Sequence, residues 1–244
     1  MKTKIVTTSM LILFTINTNG QNWWGSKDRV KGNGNLISTT RNIPSFNELS
    51  VGGSFDVILV KGTVGEIFIE AEENIIPYII TEVDGDRLKI RYKKNSNINT
   101  TKSVTIRVQF EDLESISLGG SGKISSDDLI KSETFKVNIG GSGKIYLYLD
   151  AEKVSASIGG SGDLILKGTT QKMRSNIAGS GSIKDFGFTA DNLNATIAGS
   201  GNIKITVQSK IKAKVVGSGN IYYKGNPKHV DTKSIGSGNV IDKN

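Results

Sequence analysis

Cysteine is absent from this 244-residue chain, and histidine occurs once, as His229. The first absence excludes disulfides and a lipid-bearing cysteine, and together they remove the usual sulfur and nitrogen ligands of zinc. A serine–histidine hydrolase is excluded on the same ground, because no Gly-x-Ser-x-Gly elbow accompanies His229, which reads as a loop residue near Pro227. Long apolar runs are missing too. The one extended apolar stretch, Ile5 to Ile16, is too short to cross a bilayer.

That stretch follows Lys2 and Lys4 and gives way to small and polar residues up to Gly20, the pattern of a secretory signal peptide. The expected organisation begins with a signal peptide at 1–20 and a flexible leader at 21–43, with Trp23 and Trp24 in the leader. The mature chain is then exported to the periplasm, cell surface or exterior and carries no lipid anchor. Two of the 31 lysines and arginines belong to the signal peptide, leaving 29 against 23 acids, a net charge of +6. Lys123, Lys144, Lys167, Lys184, Lys204, Lys214 and Lys224 read as scattered through the chain. Such lysines guard strand edges, or draw in acidic glycans and anionic lipid headgroups. Nucleic acid is not an expected partner, because no motif for it is present.

What the chain has in excess is Gly-Ser-Gly. Its serines are Ser121, Ser142, Ser161, Ser180, Ser200, Ser218 and Ser237, at intervals of 21, 19, 19, 20, 18 and 19. A period near 20 residues is the mark of a solenoid whose rungs bury their apolar faces against one another. Each tripeptide lies between alternating runs such as Val137-Asn138-Ile139 and Lys144-Ile145-Tyr146-Leu147, the period of a strand with one buried face. The rung is therefore strand, glycine corner, strand, and the corners form a column on the order of 30 Å long at about 4.8 Å per rung. After each tripeptide comes a polar residue (Lys123, Lys144, Asp163, Ser182, Asn202, Asn220, Asn239), then Ile, Leu or Val. The polar residue is predicted to face water and the apolar one the core.

Over 44–115 the tripeptide is missing, although Val51-Gly52-Gly53-Ser54 is a worn copy of it. Strands are predicted at 66–71, 78–83, 88–92 and 104–110, with a hairpin at Asp84-Gly85 and a helical turn before Pro77. This reads as an antiparallel β unit that caps the solenoid of 116–244.

Phe46-x-x-Leu49-x-Val51-Gly-Gly-Ser-Phe-Asp-Val-Ile-Leu59, the Asp84-Gly-Asp-Arg-Leu-Lys-Ile90 hairpin, the serial Gly-Ser-Gly rungs and Tyr223-Lys-Gly-Asn-Pro227 together resemble the putative auto-transporter adhesin, head GIN domain family. The resemblance spans about Ile43 to Val240. It implies an exported all-β protein, a right-handed parallel β-helix of about 19–20 residues per rung behind a β-rich N-terminal cap, with no catalytic or binding residues to carry over. Its members are common in the Bacteroidetes.

An enzyme on this fold, a polysaccharide lyase or hydrolase, needs paired carboxylates on one face. Asp127, Asp128, Glu133, Asp150, Glu152, Asp163, Asp185, Asp191 and Asp231 are the available rung acids, and Asp163 alone holds the repeat position. Asp128 and Glu152 lie on connections. Gly159-Gly-Ser-Gly-Asp-Leu164 puts its acid one place early for a calcium β-roll, and the other copies carry Lys, Ser or Asn, so no metal or cofactor is expected. The corners could hold anions in backbone nests. Tyr146, Tyr148, Tyr222 and Tyr223 could offer an aromatic platform for sugars. No catalytic, cofactor or metal residue is assigned. The function expected is a non-enzymatic adhesion or binding module for glycans or envelope components, with a β-helix enzyme and a purely structural envelope protein as alternatives. Clustered acids on one face favour the enzyme; a groove with outward tyrosines and lysines favours binding.

Overall fold

The computed structural model describes residues 29–244, so the expected signal peptide, Trp23 and Trp24 lie outside the described residues. Strands run β1 Arg29–Lys31, β2 Leu36–Asn42, β3 Glu48–Gly52, β4 Phe55–Lys61, β5 Glu66–Glu72, β6 Ile79–Asp84, β7 Arg87–Tyr92, β8 Asn97–Asn99 and β9 Val104–Phe110. The repeat follows as β10 Ser115–Gly120, β11 Lys123–Gly141, β12 Lys144–Gly160, β13 Asp163–Gly179, β14 Ser182–Ile183, β15 Phe188–Gly199, β16 Asn202–Gly217, β17 Asn220–Lys224, β18 His229–Ile235 and β19 Val240–Asp242. From β10 onward successive rungs pair in parallel, and the whole is a β-solenoid of about seven turns.

The corners form one column. Ser142 N–H donates to the Gly120 carbonyl (2.9 Å), Ser161 to Gly141 (2.9 Å), Ser180 to Gly160 (2.9 Å) and Ser218 to Gly199 (3.0 Å). Glycine is needed there twice over. Gly141 has φ +124°, and a Cβ on Gly143 would lie 2.7 Å from the Gly122 carbonyl oxygen of the rung before. A second corner breaks the alternation within each long strand. In β12 Ala151 and Val154 are buried while Glu152 and Lys153 between them are both exposed.

Inside, register stacks like on like. Ile106, Val57, Ile124, Ile145, Leu164, Ile183, Ile203, Ile221 and Val240 make a continuous apolar column. The polar file beside it is less uniformly wet than its sequence suggests. Ser182 is buried, and Asn202 Oδ1 accepts from Asn220 N–H (3.1 Å), as Asn220 Oδ1 does from Asn239 N–H (3.0 Å). These asparagines form a ladder that replaces backbone bonds at the corner.

The N-terminal region is a mixed unit, which corrects the expectation of an antiparallel one. β2–β5, β5–β9 and β6–β7 are antiparallel, but β3 pairs in parallel with both β7 and β10, and β4 with both β9 and β11. So β7 and β9 are a rung without a glycine corner, laid on the outer side of the β3–β4 rung. The worn copy joins the column: Gly53 N–H donates to the Gly119 carbonyl (2.8 Å), and Ser54 Oγ lies 3.1 Å from Ser121 Oγ. The hairpin leaves Gly85-Asp86 as its two-residue loop, and the helical turn is a 3₁₀ turn at Ile76–Tyr78 around Pro77.

The described part of the expected leader is also strand. β2 lies along β5, and Arg41 Nη1 donates to the Ile79 carbonyl while Nη2 reaches that of Ile76. β1 pairs with β8. Glu72, 1% exposed, ties this corner together by accepting from Gly34 N–H (2.7 Å), Thr101 N–H (2.8 Å) and Thr101 Oγ1 (2.6 Å). At the opposite end β18 is exposed throughout, and Thr232 and Ser234 stand in the files of Ala213 and Val215. Polar residues at those inward positions suit a terminal rung.

Candidate functional site

The face that follows each Gly-Ser-Gly corner carries the outward aromatics and several of the lysines. Stacking in register sets Tyr146 beside Ile165, Tyr148 beside Lys167, Lys204 beside Tyr222 and Thr206 beside Lys224. One irregularity makes this face concave. After β14 the chain leaves the sheet at Lys184 and rejoins it at Phe188, opposite Gly168. Asp185 in this loop has φ +141°, a conformation L residues rarely adopt, and its Oδ1 accepts from Gly187 N–H at 2.8 Å. The Phe186 carbonyl accepts from Thr206 Oγ1 (2.8 Å), which fixes the loop to the next rung.

The result is a groove of about 670 Å³ lined by Ser182, Lys184, Phe186, Lys204, Tyr222, Lys224 and Lys243 among others. Lys224 Nζ sits 5.1 Å from the Phe186 ring centroid and Lys243 Nζ 5.5 Å from that of Tyr222, within cation–π range. A smaller hollow of about 300 Å³ continues the face, with Tyr146, Tyr148, Ile165 and Lys167 in its lining. Tyr148 is 44% exposed, whereas Tyr146 is half-buried under Lys123. Tyr223 is not part of any platform: it packs against the core, and burial, then the neighbouring Asp242, raise its pKa.

The acids are spread over the molecule, with Asp127 in the smaller hollow, Asp185 in the loop after β14 and Asp231 on β18. Asp128 Oδ2 accepts from Lys61 N–H (2.8 Å), and Asp163 pairs with Lys184 (2.9 Å). Glu133, Asp150, Glu152 and Asp191 meet at the second corner around a groove of about 680 Å³, so Glu152, expected on a connection, lies among other acids. Parallel register is the reason. All four side chains are exposed, Asp150 Oδ1 accepts from Thr169 Oγ1 (3.0 Å), and Glu133 faces Lys153 (3.6 Å).

The ladder spends corner amides that a backbone nest would turn to an anion. The Ser161, Asp163, Ser180 and Gly181 amides all donate to carbonyls of the rung before. His229 is exposed on the last rung, in register with Lys210. Among the described residues no cluster of three or more histidines and acids is placed to hold a metal ion, and no helix is long and apolar enough to cross a membrane. The aromatic groove escaped sequence reading because Phe186 lies in a loop outside the alternating pattern.

Residues 45–227 match the family described as "Putative auto-transporter adhesin, head GIN domain". Three crystal structures are similar in fold. A putative adhesin from Bacteroides fragilis is 23% identical, with a TM-score of 0.81 over 88% of this chain and 100% of that one. A putative lipid binding protein from Parabacteroides distasonis is 27% identical, with a TM-score of 0.75 over 88% and 100%. A putative adhesin from Parabacteroides merdae is 26% identical, with a TM-score of 0.70 over 89% and 100%. No curated protein matches the chain.

Proposed function

This chain belongs to the putative auto-transporter adhesin, head GIN domain family, and on that premise we propose that it is an exported, non-enzymatic adhesion module that binds sugar polymers of the cell envelope along its aromatic groove. The observation that carries this reading is the groove of Phe186 and Tyr222 framed by Lys184, Lys204, Lys224 and Lys243. Flat rings offer faces on which sugar rings stack, and the lysine ammonium groups can donate hydrogen bonds to sugar hydroxyls. Export rests on Lys2, Lys4 and the apolar run that follows.

A glycan array probed with the mature protein tests the reading, with reducing ends and unsaturated products measured in parallel. Binding is expected without turnover, and Tyr222→Ala with Phe186→Ala should abolish binding to neutral sugar polymers while leaving the fold intact. The acid groove gives the enzyme alternative its own test. Sugar release that disappears in Glu152→Gln or Asp150→Asn would replace the binding module with a catalyst.

A further inference from the structure

Beyond the second corner the rungs gather cations that look scattered in the sequence. Lys153, Lys172, Arg174, Lys210 and Lys212 line a groove of about 560 Å³ together with Asn192 and Asn194, over Val154, Met173 and Leu193. Register fixes their order. Lys153, Lys172, Asn192 and Lys210 form one file, and Arg174, Asn194 and Lys212 the next but one. The two asparagines thus occupy a middle rung between Lys172 and Arg174 on one side and Lys210 and Lys212 on the other.

With residues two apart on a strand about 7 Å apart and rungs about 4.8 Å apart, four cations frame two amides in a rectangle of roughly 7 by 10 Å. No acid lines this groove. Among the described residues Lys172, Arg174, Lys210 and Lys212 have no ion-pair partner, and Lys153 meets Glu133 only at 3.6 Å. Outward positions on a strand need only be polar to serve the fold, and packing like charges together destabilises the compact state. Guarding strand edges does not require cations gathered on neighbouring rungs, whereas holding an acidic chain does, although Asp231 stands in register with Lys212 on the next rung.

We propose that this basic groove is a second binding site, distinct from the aromatic one, for a linear acidic polysaccharide laid lengthwise along the solenoid. Its sulfate or carboxylate groups pair with the cations of successive rungs, while the Asn192 and Asn194 amides donate to oxygens between them. The chain runs along the axis because the cations extend from the Lys153 rung to the Lys212 rung, about three rung spacings or roughly 14 Å.

The test compares two variants of the mature protein that each lose four positive charges: K172Q/R174Q/K210Q/K212Q in this groove, and K184Q/K204Q/K224Q/K243Q in the aromatic one. Binding to heparin-type sulfated oligosaccharides and to polygalacturonate is measured by calorimetry, with neutral dextran and anionic vesicles alongside, after circular dichroism and melting confirm both folds. The first variant is expected to bind about tenfold or more weakly, a loss of about 1.4 kcal/mol or more, and the second within about threefold of the parent. Raising salt from about 0.05 to about 0.3 M should weaken the parent far more than the first variant. Equal losses in both variants would reduce the effect to net charge and overturn the proposal. So would a loss confined to the second variant, binding to vesicles alone, or a parent that ignores acidic chains. Failure here leaves the aromatic groove untouched, since the Tyr222→Ala and Phe186→Ala arm reads that site separately.

Discussion

Two adjacent glycines should respond in opposite directions to the same added methyl group. Gly141→Ala places a Cβ 2.5 Å from the Gly120 carbonyl oxygen and 3.1 Å from its nitrogen, at φ +124°. The strained dihedral costs about 1–3 kcal/mol and forcing atoms into a packed backbone about 1–3 more. The methyl also displaces the carbonyl that accepts from Ser142 N–H, worth about 1 kcal/mol. A loss of roughly 3–7 kcal/mol follows from those contributions. Gly140→Ala meets nothing within 4 Å, and the same file already carries Ala178, Ala198 and Val216. Restricting the unfolded chain there should stabilise by about 0.4–1 kcal/mol. Urea unfolding followed by circular dichroism reads both as midpoint shifts of opposite sign. Similar midpoints for the two variants would refute the claim that rung stacking, and not strand propensity, makes glycine necessary at the corner.

Ile203→Ala should cost about 2–5 kcal/mol, since Ile203 is fully buried between Ile183 and Ile221. Asn202→Ala should cost about 1 kcal/mol through the lost Asn220 N–H bond; equal losses in the same urea assay would reverse the assignment of faces. Ser175 Oγ is buried without a hydrogen-bond partner, in file with Ala156 and Ala195, so Ser175→Ala should raise the melting temperature, and a fall would show that the hydroxyl is satisfied. Glu72 is held at a pKa of about 2, chiefly by the Thr101 hydroxyl, against burial that pushes it up, with further help from the Thr101, Gly34 and Lys102 amides. A depressed folded pKa contributes stability that is complete above the unfolded value near 4.5 and lost as pH falls through about 2. Glu72→Gln should therefore flatten the urea midpoint between those limits, and an unchanged slope would dismiss Glu72 as its source.

The repeat was legible because its two requirements are periodic. Corner glycines and the inward Ile145, Leu164, Ile183, Ile203 and Ile221 recur at fixed offsets, so local pattern implies global register. What was hidden depends on contacts between distant or irregular positions. β2 has an exposed sequence, Ser38-Thr39-Thr40-Arg41, with no buried alternation to betray it, because it is an edge strand held by β5 and the reach of Arg41. β7 and β9 carry no corner tripeptide, so nothing marks them as a rung. The basic groove draws on residues at two different offsets within the rung, Lys172 and Arg174, which no single column of the repeat displays.

The placement of the β7–β9 rung outside the β3–β4 rung gives assembly of the protein a direction. Later rungs stack on the one just made, across about twenty residues of chain, as in Lys144 on Asp163. Joining β10 to β3 instead brings Ser115 to Glu48 across 67 residues, which adds roughly 1 kcal/mol of closure entropy over a twenty-residue loop. The segment from β2 to β9 is expected to act as a template on which the first Gly-Ser-Gly rung is laid, with growth proceeding away from it. Pulsed hydrogen exchange during refolding should protect Val57 and Ile106 before Ile203; the reverse order would remove the template. A tandem copy of one rung inserted beyond Gly143 would lengthen the stack without rewiring either end, so proteins built on this plan can vary in reach while keeping the same starter.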